Sequence, residues 1–580
     1  MASEYWKQIK TEIDNFDLVE PEFNPNFAPT QSSLINLIDS YWVSKFRDGF
    51  TDSSGYKKIF RNIILKPVYI AQKLIDLDTR DVRVTAEDGQ SYYPAWFYGK
   101  DLRLWMKSKK NLLGQTFGQF LNDIVYKWPK YGHILLKKAK GSVFLVPIQN
   151  IINDPEAESL LKSEYLIEKH QMGHLEFLSQ DFPSEVDKDY IWDKYSKDGR
   201  IIIYERWGEC SCMAGHNYHI IPENCEDDDD ILFHDTIDRG EIYKELKWED
   251  IPGRAIGRGQ PEKLFENQIS ENTDENLFRT GLRWTSKHAF QTRDETIAKN
   301  LMTDIENGDV IIANSEITPI AMEERNLAAY NFAAQKNSAN IADIAVAYES
   351  VSGERPPAGT PLGTTITQAQ QAGAFFDQKK EDLGMFLKEV LFDWIIPDFE
   401  KEHQKEHSLM VGEFEEDEVE KLRRLVSVNR FNEAVIKFTK KNGYYPTQEE
   451  MKVLKGITKE QLKKAKELKL PDGYYKDIKK KIDIIITNEQ IDMASRLTTL
   501  QTVLQIIGSN PTIMQDPKTR KVFYKTLDLA GINPTDLEIT EPDADLEEEA
   551  MMLNSAKMGG SIARTSSTAT PAVLPVPTRI

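Results

Sequence analysis

The cysteines and histidines between positions 210 and 234 are the first side chains in this sequence that could do chemistry. The cluster holds all three cysteines of the chain. Its members are Cys210, Cys212, His216, His219, Cys225 and His234. Four such ligands could bind zinc, but the spacing Cys-x-Cys-x3-His-x2-His-x5-Cys lacks the Cys-x2-Cys pair of structural zinc sites. We therefore predict a hairpin with small buried cysteines and no metal, with zinc as the open alternative.

A second candidate is the glycine-rich segment GRAIGRGQ, from Gly253 to Gln260. Its Arg254 and Arg258 could bind a phosphate, but it has neither the spacing nor the Lys-Ser/Thr of a Walker A loop. Gly-x-Ser-x-Gly and His-Glu-x2-His motifs are also absent from the sequence. We predict a turn with two solvated arginines, no catalytic residues and no cofactor, and phosphate binding stays the alternative.

Two charged segments could bind a partner. Eleven lysines lie between Lys452 and Lys481, which predicts a solvated helical face, with a contact to DNA or to a partner as the alternative. The acidic run from Glu226 to Asp230 lacks the alternating ligands and the glycine of a calcium loop. We predict that this acidic run is a solvated loop.

Charge limits how the protein can meet nucleic acid. Its 580 residues carry 93 acidic against 73 basic side chains, a formal charge of −20. Because each phosphate contact needs a cation, any DNA contact must be local or weak. Few cysteines, no apolar leader and no run of eighteen apolar residues predict a protein made in a reducing compartment, with no signal peptide and no membrane span.

The N-terminal 250 residues combine amphipathic helices with short strand patterns. These patterns are HILLKKAK from His133 to Lys140, SVFLVPI from Ser142 to Ile148, and RIIIYERW from Arg200 to Trp207. Each is rich in β-branched or aromatic residues and has the length of a strand. We predict a single α+β domain.

Two long helices with little apolar surface come next. The first, from Gly259 to Asp294, reads SENTDEN between Ile269 and Leu277, so we expect it to bridge domains or to pack beside copies of itself. The second, from Glu323 to Ser350, contains eight alanines, which allow neighbouring backbones to approach closely. A strand pair is predicted between the helices, around Asp309 to Met322.

A loop and a third helix follow. The segment from Val351 to Thr365 has three prolines and three glycines, which predict an irregular loop. Thr365 and Gln368 form a capping-box pattern that predicts the start of the helix. Bends are predicted at Gly373, Gly384 and Pro397. Farther on we predict a strand from Lys481 to Thr487, a helix that ends at Gly508, and a tail that is disordered until it meets a partner.

Four segments, in order, carry a resemblance to a known family. GRGQPEKLFENQISENTDEN, from Gly257 to Asn276, resembles the start of the first stem helix of portal proteins of tailed bacteriophages. SGERPPAGTPLG, from Ser352 to Gly363, resembles their tunnel loop, and the segment from Gln370 to Lys401 resembles their long kinked helix. The segment from Ile486 to Pro517 is similar to their crown. The sequence resembles those of portals of short-tailed, crAss-like phages, and the resemblance covers about Gly253 to Leu537.

The resemblance implies a structural protein and no enzyme. Portals form a ring, normally of twelve subunits, at one capsid vertex. The implied partners are other copies of the chain, the major capsid protein, the terminase, tail adaptor proteins and double-stranded DNA that slides through the channel. The implied location is the virion, with assembly in the host cytoplasm.

The resemblance also divides the chain into regions. These are an N-terminal α+β wing (1–255), a first stem helix (256–290), a clip (291–322), a second stem helix (323–350), a tunnel loop (351–366), a kinked wing helix (367–405), a wing return with acidic and lysine-rich segments (406–487), a crown (488–540) and a disordered tail (541–580).

Two groups of site residues follow from it. The tunnel loop that touches DNA comprises Ser352, Gly353, Glu354, Arg355, Pro356, Pro357, Ala358, Gly359 and Thr360. The acidic stem comprises Glu266, Glu271, Asp274 and Glu275, whose carboxylates would repel passing phosphates. The alternatives are a metal-dependent nuclease of phage DNA metabolism and another head-to-tail connector subunit.

Overall fold

The computed structural model shows a protein of mixed helix and sheet, which confirms the predicted α+β class. It describes residues 3–16, 28–52, 55–77, 82–85, 92–108, 115–139, 142–182, 186–209, 217–285, 289–293, 313–320, 327–345, 362–403, 407–410, 416–464, 467–470, 481–484, 498, 501–502 and 505. The chain divides into two compact units. The first contains residues 1–81, 106–394 and 486–488, and the second contains residues 82–105, 395–485 and 489–580.

Five helices precede the main sheets. They are α1 (Glu4–Phe16), α2 (Gln31–Trp42), α3 (Leu65–Ile75), α4 (Tyr92–Lys107) and α5 (Phe117–Tyr131). Reciprocal capping boxes fix two of their starts, through Thr30 for α2 and Thr116 for α5. Helix α5 ends at Gly132, whose φ of 76° suits glycine.

Strands β2 to β9 build the sheets of the first unit. They are β2 (His133–Ala139), β3 (Ser142–Val146), β4 (Ile151–Asn153), β5 (Leu166–Gly173), β6 (Arg200–Trp207), β7 (Tyr218–Pro222), β8 (Phe233–Asp235) and β9 (Tyr243–Lys247). Short helices α6 (His174–Ser179), α7 (Lys188–Tyr195) and α8 (Arg239–Ile242) lie between them. The three predicted strands are confirmed as β2, β3 and β6.

Among the described residues these strands form two antiparallel sheets. One has the order β3-β2-β9, and the other has the order β4-β5-β6-β7-β8. The register between β5 and β6 places Glu168 directly opposite Glu205. One apolar core includes α2, α3 and β2, and a second lies between α1, α7 and strands β5 to β7. The first core also contains Ile151, Leu166 and Trp207 of the second sheet, so side chains of both sheets pack together in it.

A helical hairpin follows the second sheet. Helix α9 (Gln260–Lys263) leads into α10 (Phe265–Thr285), and α11 (Leu327–Ala345) returns beside it. Between them, β10 (Ala289–Gln291) pairs antiparallel with β11 (Thr318–Ile320). Strand β11 falls inside the segment predicted to form a strand pair, but its partner is β10, which lies before that segment. Residues 294–312 lie outside the described part.

The third long helix starts earlier than predicted. Helix α12 spans Leu362–Val390, so Thr365 lies inside it and does not cap it. The helix is continuous through Gly373 and Gly384. A π-helical turn at Leu391–Ile395 follows, directly before Pro397, and α13 (Ile396–Glu402) continues from it. Because proline lacks a backbone N–H, the widened turn allows the helix to pass Pro397.

The second unit has its own elements. In chain order they are strand β1 (Val82–Thr85), helix α4, helix α13, strand β12 (His407–Met410), helices α14 (Glu416–Asn442) and α15 (Gln448–Lys464), and strands β13 (Glu467–Leu470) and β14 (Lys481–Ile484). β1 pairs with β14 and β12 pairs with β13, both antiparallel. Helix α4 packs on α13, where the ring of Phe399 contacts those of Tyr98 and Trp105. Strand β14 confirms the first part of the strand predicted from Lys481 to Thr487.

Candidate functional site

Helix α10 binds an extended backbone segment through a row of amide side chains. Gln268, Asn272 and Asn276 are four residues apart and therefore lie along one face of the helix. Their side-chain oxygens accept hydrogen bonds from the backbone N–H groups of Ile63, Arg61 and Ile59, at 2.9, 2.9 and 3.0 Å. We call this row the amide ladder.

The amide ladder also donates. The Nε2 of Gln268 donates to the Arg61 carbonyl at 2.6 Å, and the Nδ2 of Asn276 donates to the Ile59 carbonyl at 3.1 Å. The side chains thus satisfy alternate residues of the segment much as a neighbouring β-strand would. This explains much of the polar sequence SENTDEN, because part of its polar surface is used inside one chain. The i, i+4, i+8 spacing of amides was a signal for such a role, but no sequence pattern indicated the partner.

The four residues of the predicted acidic stem lie in different surroundings. Glu271 is buried, forms a 2.7 Å ion pair with Arg61 and accepts a 2.6 Å hydrogen bond from Asn337. Glu275 pairs with Arg279 at 2.6 Å, while Glu266 is exposed and Asp274 is half-buried. The carboxylates therefore do not form one open row: two contact cations of the same chain, and Glu266 faces solvent.

Polar and aromatic contacts join α10 to α11. The Nδ2 of Asn267 donates to Oδ1 of Asn337 at 2.8 Å, and the rings of Phe278 and Tyr330 meet edge to face at 6.0 Å. Both helices nevertheless leave large apolar side chains exposed. The exposed fractions are 40% for Ile269, 50% for Leu277, 40% for Leu282, 69% for Phe332 and 39% for Ile344. The hairpin therefore keeps unburied apolar surface on both of its helices.

The other end of α10 meets a short hairpin between α2 and α3. Thr51 and Lys57 form an isolated antiparallel bridge in that hairpin. The guanidinium of Arg283 lies 4.1 Å from the ring centre of Tyr56 and 3.7 Å from Asp52. Together with the amide ladder, these contacts attach α10 to the N-terminal region over most of its length.

The tunnel-loop residues, Ser352 to Thr360, lie outside the part of the chain that the structure describes. The next described residue is Leu362, where α12 begins. Residues 362–366, which the predicted tunnel loop includes, therefore belong to the helix.

A buried group of charges ties the two sheets together. The ammonium of Lys137 on β2 lies 2.8 Å from Glu168 on β5 and 2.5 Å from Glu205 on β6. The hydroxyl of Tyr243 donates to Glu168 at 3.1 Å, and that of Tyr218 donates to Glu205 at 3.0 Å. Two carboxylates directly opposite each other repel, so the ammonium between them makes this register possible.

The pKa values of this group follow from burial and charge. Burial raises the pKa of the Glu205 carboxyl, but the positive charge of Lys137 and the hydrogen bond of His170 outweigh burial and hold that pKa at about 2. Burial lowers the pKa of Lys137, and the charges of Glu205 and Glu168 reverse the shift, so the net direction is upward. Burial raises the pKa of the Tyr243 hydroxyl well above its ordinary value.

Among the described residues, Glu168, His170 and Glu205 are the one group whose atoms lie close enough to hold a metal ion. The Nε2 of His170 is 3.5 Å from Glu168 and 3.2 Å from Glu205. However, Lys137 already supplies a positive charge within 3 Å of both carboxylates. A divalent ion there would be repelled at short range, so this group fits an internal ion pair better than a metal centre.

Only part of the predicted cysteine and histidine cluster is described. Cys210, Cys212 and His216 lie outside the described residues, and His219 is buried on β7 against the ring of Tyr5. The thiol of Cys225 is buried and donates to the Asp227 carbonyl at 3.0 Å. Burial raises its pKa to about 11, so without a metal ion this group is a neutral thiol.

The acidic run next to Cys225 differs from the prediction in one residue. Asp230 is buried, forms an ion pair with Lys194 at 2.6 Å and accepts a hydrogen bond from Tyr195. Asp227, Asp228 and Asp229 are exposed, as predicted. The solvated loop therefore has one anchored end, which the charge pattern alone could not show.

The prediction of two solvated arginines is wrong for Arg254. Its guanidinium is buried, forms a two-point ion pair with Glu262 at 2.7 and 2.8 Å, and donates to the carbonyls of Ile256 and Gly257. It holds the glycine-rich turn against the start of α9. Arg258 remains partly exposed beside Glu249 at 3.2 Å. The glycines serve close packing, because a Cβ on Gly132 would lie 2.2 Å from the nitrogen of Gly259.

No protein-family model matches the chain, and no curated protein matches it in sequence. Within the described residues, no helix combines the length and the apolar composition that membrane crossing requires.

Proposed function

We propose that this chain is the subunit of a phage portal ring, the channel at one capsid vertex through which the genome enters and leaves. In this role it is a structural protein without a catalytic centre. It assembles with copies of itself, normally as twelve subunits, and contacts the major capsid protein, the terminase and the tail adaptor proteins. Double-stranded DNA slides through the ring in the virion.

The observation that carries this proposal is the hairpin of α10 and α11. Its two long helices are joined through a small strand pair, and this order matches the stem and clip that the family resemblance implies. Both helices expose large apolar side chains, led by Phe332 and Leu277. Exposed apolar surface of this kind marks a protein interface, and neighbouring copies of the same hairpin in a ring would cover it.

Charge gives independent support. The chain has a formal charge of −20, and Glu266 on α10 faces solvent. A channel must let DNA move without binding it tightly, and acidic groups near phosphates reduce adhesion.

The test is the assembly state of the purified full-length protein. We expect negative-stain images to show closed rings with a central hole, and light scattering to give a mass of many subunits. Phe332→Glu combined with Leu277→Glu should prevent ring formation, because it places charges on the surface that neighbours cover. Leu175→Glu is the control, since Leu175 is 82% exposed on α6, outside the hairpin.

A monomer at micromolar concentration across salt and pH would contradict the portal proposal. A monomer that cleaves DNA only with magnesium would favour the nuclease instead. If rings form equally well with both hairpin substitutions, the interface between subunits lies on another surface.

A second test concerns the tunnel loop. Its only cation is Arg355, beside Glu354, so its net charge is zero and its hold on phosphate is weak. Deletion of residues 355–359 should leave rings intact while particles retain less genome or release it at a different rate. Particles with this deletion that hold full-length DNA and infect normally would exclude a channel role for the loop.

A further inference from the structure

Helix α15 carries an exposed surface that is both basic and apolar. We define the α15 surface by Lys452, Val453, Gly456, Ile457 and Lys459, which at about 100° per residue lie within one half of the helix circumference. Val453 is 61% exposed and Ile457 is 51% exposed, and both lysines are exposed. The second unit therefore presents two lysines on one edge of this surface and two branched apolar side chains on the other edge, with Gly456 between them.

Gly456 is the central residue of this surface. It lies in the middle of α15, where glycine is less favourable than alanine. Within the described part of the chain, a Cβ at this position would meet no atom within 4 Å, and its φ is not positive. Neither packing nor backbone conformation in the described part accounts for the glycine. It leaves the helix backbone open to close approach from outside.

The charge around this surface has the opposite sign to that of the whole protein. From Lys437 to Lys464 the sequence has eight lysines and three glutamates, whereas the chain as a whole carries −20. Glu450 already serves the N-terminus of α15, since its carboxylate accepts a 2.9 Å hydrogen bond from the backbone N–H of Thr447. A matching partner is therefore acidic and carries apolar side chains.

The chain itself contains such a segment. Residues 541–553 read EPDADLEEEAMML, in which six acidic residues are followed by an alanine, two methionines and a leucine. Methionine adapts readily to an irregular apolar surface. Between Ile484, the last residue of β14, and Glu541 there are 56 residues, which is ample length to reach α15 from within the second unit.

We propose that the acidic segment 541–553 docks on the α15 surface. Glu547, Glu548 and Glu549 pair with Lys452 and Lys459, and the following apolar residues cover Val453 and Ile457. The backbone of the docked segment approaches the helix at Gly456. This docking fixes the C-terminal end of the chain on the second unit and does not depend on the proposed portal function.

The experiment uses the full-length protein and two measurements. A carbodiimide, which joins lysine to a carboxylate without a spacer, should link Lys452 or Lys459 to Glu547, Glu548 or Glu549, as read by mass spectrometry. Hydrogen exchange of backbone amides in α15 should slow by about tenfold relative to the variant Lys452→Glu/Lys459→Glu. Lys7→Glu/Lys10→Glu, which makes the same charge change on exposed lysines of α1, is the matched control and should change neither measurement.

Two further variants separate docking from a change in the helix. Adding Glu547→Lys/Glu549→Lys to the Lys452→Glu/Lys459→Glu variant reverses both charges and should restore the slow exchange. Gly456→Leu should remove the protection although leucine favours helix. The proposal is overturned if no such cross-link forms, if α15 exchanges equally fast in the parent and in Lys452→Glu/Lys459→Glu, or if charge reversal on both sides fails to restore protection.

Discussion

The amide ladder and the Lys137 group solve the same problem by different means. Both satisfy polar groups that the fold removes from water, and both join segments that are distant in sequence. In the ladder, neutral amide side chains on α10 form hydrogen bonds with backbone groups of the extended segment, such as those of Arg61 and Ile63. The Lys137 group uses full charges inside the sheets. Neutral hydrogen-bonded pairs cost less to desolvate than charges do, and their contribution to stability does not change with pH. The contribution of buried charges requires every partner to be present and in its charged form.

The largest effect should come from removing the cation. Lys137→Met leaves Glu168 and Glu205 buried and opposite each other, and loss of one partner of a buried pair costs about 3–5 kcal/mol. Urea unfolding followed by circular dichroism measures this loss. Lys162→Met is the control, because that side chain is 76% exposed and should change stability little. Equal stability of the two variants would show that Lys137 is not essential to the register.

Acid should have the next largest effect, and it should lower the stability contributed by the Lys137 group but not that contributed by the amide ladder. The folded pKa of Glu205, about 2, lies below the ordinary 4.5. The contribution of Glu205 is therefore fully present above pH 4.5 and is lost as the pH falls towards 2. Unfolding measured from pH 6 to pH 2.5 should show a steeper loss for the parent than for Glu205→Gln. A ladder variant such as Asn276→Leu should keep the slope of the parent, and a shallower slope would contradict this contrast.

Breaking one rung of the ladder should cost less. Asn276→Leu removes both hydrogen bonds to Ile59 and leaves two backbone groups without these partners, an expected loss of about 1–3 kcal/mol. Thr273→Leu, on an exposed position of α10, is the matched control. Hydrogen exchange of the Ile59 amide should rise in the first variant only. An unchanged rate would mean that the segment is held by other contacts.

The smallest effect is expected at the ion pair beside the ladder. Arg61→Ala removes a partner of Glu271, but the Arg61 side chain is 57% exposed and Asn337 still donates to the carboxylate. We expect a loss of about 0.2–1 kcal/mol that shrinks in high salt. A larger loss of stability that does not depend on salt would mean that this pair behaves like the buried charges of the Lys137 group.

Sequence patterns predicted elements well where the signal is local. Strands β2, β3 and β6 follow from runs of β-branched and aromatic residues, and α10, α11 and α12 follow from helical composition. The start of α12 was placed too late, because Thr365 and Gln368 fit a capping box that the helix does not use. Local patterns permit several starts, and the rest of the fold selects one.

The site depends on pairings that no local pattern contains. Lys137 meets Glu205 across 68 residues, and their contact requires that one sheet packs against the other. The amides of α10 were visible in SENTDEN, but their partners lie more than 200 residues earlier. Alternation along β5 could suggest only that Glu168 and His170 share a face. Sequence therefore indicated the unusual polar run on α10 but not the Lys137 group, and the structure supplied the contacts of both.

The separation in sequence between the amide ladder and its partner also causes a delay during synthesis. Residues 59–63 leave the ribosome long before Gln268 and Asn276 exist, a gap of about 205 residues. At roughly 5–20 residues per second, synthesis of that stretch takes on the order of 10–40 s. During this interval the segment has backbone donors and acceptors with no ladder to bind them. A nascent chain of this length is a suitable client for a chaperone until α10 emerges.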